Sequence, residues 1–280
     1  MKSNPSIKYQ ASSIIHRLSL MSVAIFSVLL ASLSSAAAED LTVDEIITKA
    51  NEAAYYAGRD GQADVKMTIV DAGGGERVRQ FRILRLNAEN GNQKFYVYFN
   101  EPADVRRMVY LVWKKVGEGQ DDDRWMYLPA LDLVRRIAPG DKRTSFVGSD
   151  FVYEDVSGRN LNADEHELIS SAGGQYQIKN TPKDPGSVEF SYYNVWIDQD
   201  TFLPRKAEYY DKNGKLYRRV EGTKVETVQG YPTVVESVVT DLNTGGKTVN
   251  VFSGMKYDIG LNDAIFSERF LKRPPREATR

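Results

Sequence analysis

The chain has 280 residues, with 37 Lys and Arg against 38 Asp and Glu, a formal net charge of −1 and no cysteine. That balance supplies no basic excess for nucleic acid or for sustained binding to an anionic membrane surface. The missing cysteines exclude disulfides, a thiol nucleophile, a Cys/His zinc site and a lipid-modified N-terminal cysteine.

The first 38 residues read as a signal peptide. Lys2, Lys8 and Arg17 stand without an acid, Leu18 to Leu33 is apolar, and Ala36 and Ala38 give the small-x-small pattern of a cleavage site. The apolar run is short for a bilayer span, which needs about 20 residues. The expectation is export to a bacterial periplasm, with residues 39–280 as one all-β domain. A chain of that size holds together by packing alone.

After the signal, Thr42 and Glu45 form a Thr-x-x-Glu capping box. Ile46, Ile47, Ala50, Ala53, Ala54 and Ala57 follow at helical spacing, and Gly58 ends the pattern. A face of small residues suits close packing against a sheet or over an opening. The periodicity then falls to two. Alternating segments run over 64–71, 77–86, 94–99, 108–115, 124–128, 132–137, 166–171, 175–180, 188–198, 204–210, 215–228, 232–241 and 247–257. Turn residues such as Asn90-Gly91 and Asn213-Gly214 join them. With no long helix between strands, an antiparallel meander is expected.

Some strands are apolar on both faces. Met108 to Trp113 is one; another places Val188, Phe190, Tyr192 and Trp196 opposite Tyr193, Val195 and Ile197. Such a sheet needs cover, or must curl into a partial barrel that is either filled or hollow. Residues 139–160 break the pattern. Ser149 is placed to cap a short helix over 150–156, and Phe146, Phe151 and Tyr153 are apolar points in a polar segment. That segment reads either as a loop pinned to the core or as a lid over a cavity. Asn262 precedes a short C-terminal helix stopped by Pro274-Pro275, beyond which the chain is expected to be mobile.

Little here resembles a catalytic site. His166 is the one histidine beyond the signal, in the polar stretch DEHELISS, and reads as solvated. No G-x-S-x-G, H-E-x-x-H or phosphate-binding glycine loop occurs. Asp150, Glu154 and Asp155 fit helix-start acids better than an acid–base pair.

Three stretches carry a resemblance: RWMYLPALDLVRRI at 124–137, SFVGSDFVYEDV at 145–156 and VWIDQDTFLPRKAEYYDKNGKL at 195–216. Together they resemble the LolA-like outer-membrane lipoprotein-sorting family, in its longer branch. The resemblance implies a mainly β fold: an incomplete antiparallel β-barrel, or half-barrel, covered by an N-terminal helix and short helical lid segments. It implies a periplasmic, non-catalytic, monomeric carrier that binds lipid or lipoprotein acyl chains and makes transient membrane contact during outer-membrane biogenesis. It needs no cofactor and no metal. The chain is longer than LolA carriers, and its segment from Phe146 to Asp155 has no counterpart there. The alternative is therefore a partner of an inner-membrane lipid exporter of the resistance-nodulation-division type, with a hopanoid-like cargo or none. On either reading the candidate ligand-binding residues are aromatic: Trp113, Trp125, Tyr127, Phe146, Phe151, Tyr153 and Trp196.

Exported protein should begin at Glu39. N-terminal sequencing checks this; a chain still starting at Met1 contradicts it.

Overall fold

The computed structural model describes residues 41–279. The expected signal peptide lies outside the described residues. Helix α1 spans Val43–Tyr55 and opens as its sequence requires. The Glu45 N–H donates to Thr42 Oγ1 at 3.3 Å, and the Thr42 N–H donates to the Glu45 carboxylate at 2.8 Å. The helix stops at Tyr55 with Tyr56 as its cap, three residues before the expected Gly58.

Thirteen strands follow: β1 (Asp60–Val70), β2 (Glu76–Asn87), β3 (Gln93–Glu101), β4 (Val109–Lys114), β5 (Asp123–Leu128), β6 (Leu133–Ile137), β7 (Asp164–Ala172), β8 (Gln175–Pro182), β9 (Phe190–Asp198), β10 (Pro204–Asp211), β11 (Leu216–Val228), β12 (Tyr231–Asp241) and β13 (Lys247–Tyr257). They form one antiparallel sheet in the order β6-β5-β4-β3-β2-β1-β13-β12-β11-β10-β9-β8-β7. Every strand pairs with its sequence neighbour except at the β1–β13 seam and the β6/β7 break. The sheet never closes. It is an open half-barrel whose edges are β6 and β7.

The chain between those edges crosses the inner face of the sheet. It carries helix α2 (Tyr153–Ser157) and packs Phe146 against Phe81, Phe99 and Tyr110 of β2, β3 and β4. Farther on, the Asp150 carboxylate accepts from Thr248 of β13 at 2.6 Å, and Arg218 of β11 donates to Asp155 at 2.5 Å. The expected Ser149 cap is corrected. Ser149 Oγ donates to the Phe146 carbonyl at 2.7 Å, and α2 starts four residues later, where the Asp155 carboxylate accepts from the Val152 N–H at 2.7 Å.

The outer face of β2 to β5 is equally apolar. Leu84, Leu86, Tyr96, Leu111, Trp125 and Tyr127 lie there under Leu261, Phe266 and Leu271. The expected single C-terminal helix is instead a 3₁₀ turn at Asp263–Ile265 and a short helix α3 (Arg269–Lys272). Past the two prolines the chain is not loose. It forms α4 (Arg276–Thr279), with Ala278 buried. Backbone carbonyls anchor this cover: Trp113 Nε1 donates to Phe266 O and the Tyr96 hydroxyl to Phe270 O, each at 2.7 Å.

Gly158 ends α2 at φ +76° and ψ 154°, a region essentially closed to side chains. A Cβ there would stand 2.6 Å from the Tyr55 ring of α1. Gly158→Ala should lower stability by at least about 1–3 kcal/mol, read from the denaturant midpoint. An unchanged midpoint would show that α1 and α2 are not in this contact.

Candidate functional site

Between α1 and the inner face of the sheet is a cavity of about 480 Å³. That volume is within the usual range for ligand pockets, about 300–1,000 Å³. Its floor comes from alternate residues of adjacent strands: Met67, Phe81, Phe95, Val97, Ile178, Val195 and Val220. Its roof is the small-residue face of α1, with Ile47, Ala50, Ala53 and Ala54, continued by Ala57 just past the helix end. Short side chains let the helix cover the cavity without filling it. A second hollow of about 560 Å³ runs along the outer side of α1 beside Tyr56, Tyr231 and Pro232. The two share Asn51, Ala53, Ala57 and Pro232, so they meet at the edge of the helix. The outer hollow is bounded by α1 and two strand turns alone; the inner cavity, walled by most of the sheet, is the better ligand site.

The sequence-predicted residues separate cleanly. Phe146 and Phe151 line the cavity. Tyr153 stands behind Phe146, with ring centroids 5.7 Å apart. Trp113, Trp125 and Tyr127 are on the opposite face of the sheet under the C-terminal cover, and the Trp113 and Trp125 rings are 4.9 Å apart. The expectation that they border the cavity is corrected by β5 itself, where Met126 between them points inward. Trp196 also points outward, with the Lys206 ammonium 3.6 Å from its ring centroid. Phe190 differs from its expected side as well. A register shift near Ser191 turns it inward against Tyr193 and Tyr209.

One end of the cavity is polar, which the sequence did not reveal. Glu154 of α2 is 4% exposed and accepts from Arg143 Nη1 at 3.2 Å and Arg159 Nη1 at 3.3 Å. Arg159 also grips Asp164 with two hydrogen bonds of 2.8 Å, and the Tyr193 hydroxyl donates to the same carboxylate at 2.8 Å. Arg143 donates to Glu189 at 2.7 Å. The guanidinium groups of Arg143 and Arg159 lie over Phe190, and that of Arg218 lies over Tyr209. Planar, weakly hydrated guanidinium suits both contacts. Burial opposes the charge on Arg159, but the hydrogen bonds and charge of Asp164 and the charge of Glu154 outweigh it and raise its pKa. Burial, then the charge of Asp164, pushes Tyr193 far above the usual phenol range, so its hydroxyl keeps its proton. These pairs join residues up to 46 apart in sequence, so spacing carries no signal of them.

His166 is not a loosely solvated side chain. It lines the cavity, with Nδ1 2.7 Å from Asn180 Oδ1 and Nε2 3.0 Å from Leu161 O. Among the described residues, no group of three or more His, Asp or Glu side chains is placed to hold a metal ion.

A family model for an uncharacterised protein matches residues 91–273. The crystal structure of a DUF1329 family protein from Desulfovibrio piger superposes with a TM-score of 0.74 at 32% identity, covering 81% of this chain and 96% of that one. The chain belongs to the DUF1329 family. A putative outer membrane lipoprotein-sorting protein domain from Vibrio parahaemolyticus gives a TM-score of 0.74 at 27% identity over 82% of this chain and 97% of that one. A LolA superfamily protein from Nitrosomonas europaea gives 0.63 at 22% identity over 82% and 99%, which shows a shared fold. Among curated proteins none matches the chain. The DUF1329 fold is thus LolA-like, as the sequence resemblance implies.

In this DUF1329 chain Phe146 both fastens the crossing segment and forms part of the cavity wall, at 1% exposure. Phe146→Ala should therefore cost roughly 3–5 kcal/mol of stability, as a fully buried phenylalanine does. A loss below about 1 kcal/mol in denaturant melts would show that the ring is a free lid, since truncation of a packed core ring costs far more.

Lys114 ties β4 to both covering elements. Its Nζ donates to Ser157 O at 2.7 Å and sits 5.1 Å from the Tyr55 ring centroid. Burial pushes its pKa down from 10.5 to about 8, against the pull of Asp122 and Glu154. Between those two values the unfolded chain binds the extra proton, so unfolding free energy should rise with pH across that window. Comparing the wild type with Lys114→Met at pH about 7 and about 10 isolates this contribution. The wild type should gain on the variant as pH rises; a constant difference would contradict the assignment.

Proposed function

We propose that this protein is a periplasmic, non-catalytic carrier that holds lipid or lipoprotein acyl chains in the cavity beneath α1 and moves them between membranes. The observation that carries the proposal is the cavity itself: about 480 Å³, floored by apolar strand residues and roofed by a helix face of alanines. Unaided transfer exposes an acyl chain to water at about 0.8 kcal/mol per methylene, on the order of 10 kcal/mol for a long chain. An apolar trough in a water-soluble chain replaces most of that burial and requires no covalent step. The similarity to a putative lipoprotein-sorting domain supports the same reading. Localisation in the periplasm rests on the signal-like residues 1–38, and a monomer is the simplest carrier.

A second reading, a non-catalytic partner of an inner-membrane lipid exporter with hopanoid-like cargo or none, is favoured by the filled part of the trough. Phe146 and the Glu154 ion cluster occupy space that a fully open half-barrel would offer to cargo. Mass spectrometry of lipids extracted from protein purified without detergent separates the two. A stoichiometric long-chain lipid, taken up again after delipidation, is expected of the carrier. A lipid-free protein that takes up none would leave the partner reading.

A further inference from the structure

Asn250 is an unusual residue for the place it occupies. It sits on β13 among the residues that line the cavity, paired across the ladder with Met67 on one side and Ser237 on the other. It is 6% exposed, and its Oδ1 accepts no hydrogen bond from any described residue. Burying an amide oxygen without a donor costs about 1–3 kcal/mol. Packing alone would favour valine or leucine here, next to Met67. Thr248, two residues earlier on the same face, is buried too but bonds to Asp150 on the crossing segment. The fold thus pairs one buried polar group of this strand and leaves its neighbour in the cavity lining without a donor.

Two charged groups of the cavity lining, Arg159 and Asp155, are already engaged. Arg159 is held by Asp164 and Glu154, and Asp155 by Arg218 and the Val152 N–H. Asn250 is neutral and offers an acceptor and a donor side by side. A matching ligand group presents a donor to Oδ1 and an acceptor to Nδ2. A hydroxyl does both with one oxygen.

Resting on the carrier reading, we propose that the cavity selects an uncharged lipid whose buried part bears a hydroxyl group, and that Asn250, with Ser237 beside it, binds that hydroxyl. The ligand class is then a long-chain or polycyclic alcohol rather than a plain acyl chain. Asn250 becomes the specificity-determining residue on the apolar wall of the site. A site built to hydrogen-bond a hydroxyl rejects an analogue lacking one, because its own polar group is left unpaired.

The test is competition against the apolar dye N-phenylnaphthylamine on delipidated full-length protein, with dodecanol and a methyl ether of matched length as competitors. The ether accepts a hydrogen bond but donates none, so it cannot satisfy Oδ1. Wild type should favour the alcohol by about five- to tenfold. Asn250→Leu, similar in volume, should still bind the dye, lose the preference, and melt no lower than wild type. Asn250→Ala, which cannot crowd Met67, should lose it as well. Equal displacement by the two competitors in wild type, or an alcohol preference that survives in either variant, overturns the proposal and leaves the carrier reading standing. Failure of the dye and both competitors to bind overturns both.

Discussion

The burial of Phe146 is the contact on which the rest of the architecture depends. An open sheet of thirteen strands leaves an apolar inner face and two unpaired edges. The chain must travel from one edge to the other, and it does so across that face. The Phe146 ring, wedged among Phe81, Phe99 and Tyr110, fixes where the crossing segment lies. From that point the segment reaches β13 through Asp150 and β11 through Asp155, and delivers Glu154 to its two arginines. What the segment does not fill, α1 covers with alanines. The cavity is therefore the remainder of a packing problem: too much apolar sheet for the side chains supplied to it.

The ion cluster beside the cavity follows from the same route. A carboxylate buried as deeply as Glu154 persists only with cationic partners and satisfied hydrogen bonds. Arg143 and Arg159 supply both, and each goes on to bond a second acid, Glu189 or Asp164. The cluster ties the crossing segment to the half of the sheet that Phe146 does not touch. Clamped at both ends, the segment forms part of the cavity wall. The hollow along the outer side of α1 shares Ala53 and Ala57 with the cavity lining.

Strand periodicity and the Thr42–Glu45 box made most of the fold legible, because both are local signals. The expected segments correspond one for one to the strands. The site was less legible. Alternation says that Trp125 and Tyr127 share a face and that Met126 takes the other, but both faces of β2 to β5 are apolar, so nothing local says which face is hollow. The C-terminal cover decided it, and that contact joins residues far apart, such as Trp113 and Phe266. Ser149 had the chemistry of a helix cap and used it on the Phe146 carbonyl instead, in the turn that seats the ring. Phe190 escaped its face through a register shift that period counting cannot see.

The central claim is that a lipid chain occupies the space between α1 and the sheet. A crystal of the protein loaded with a chain-brominated fatty alcohol tests it directly, since anomalous scattering locates each bromine. The account predicts bromine peaks in the cavity beside Met67, Phe95 and Ile178, beneath the alanine face of α1. Peaks confined to the outer hollow by Tyr231, or to the Trp125 face of the sheet, would contradict it.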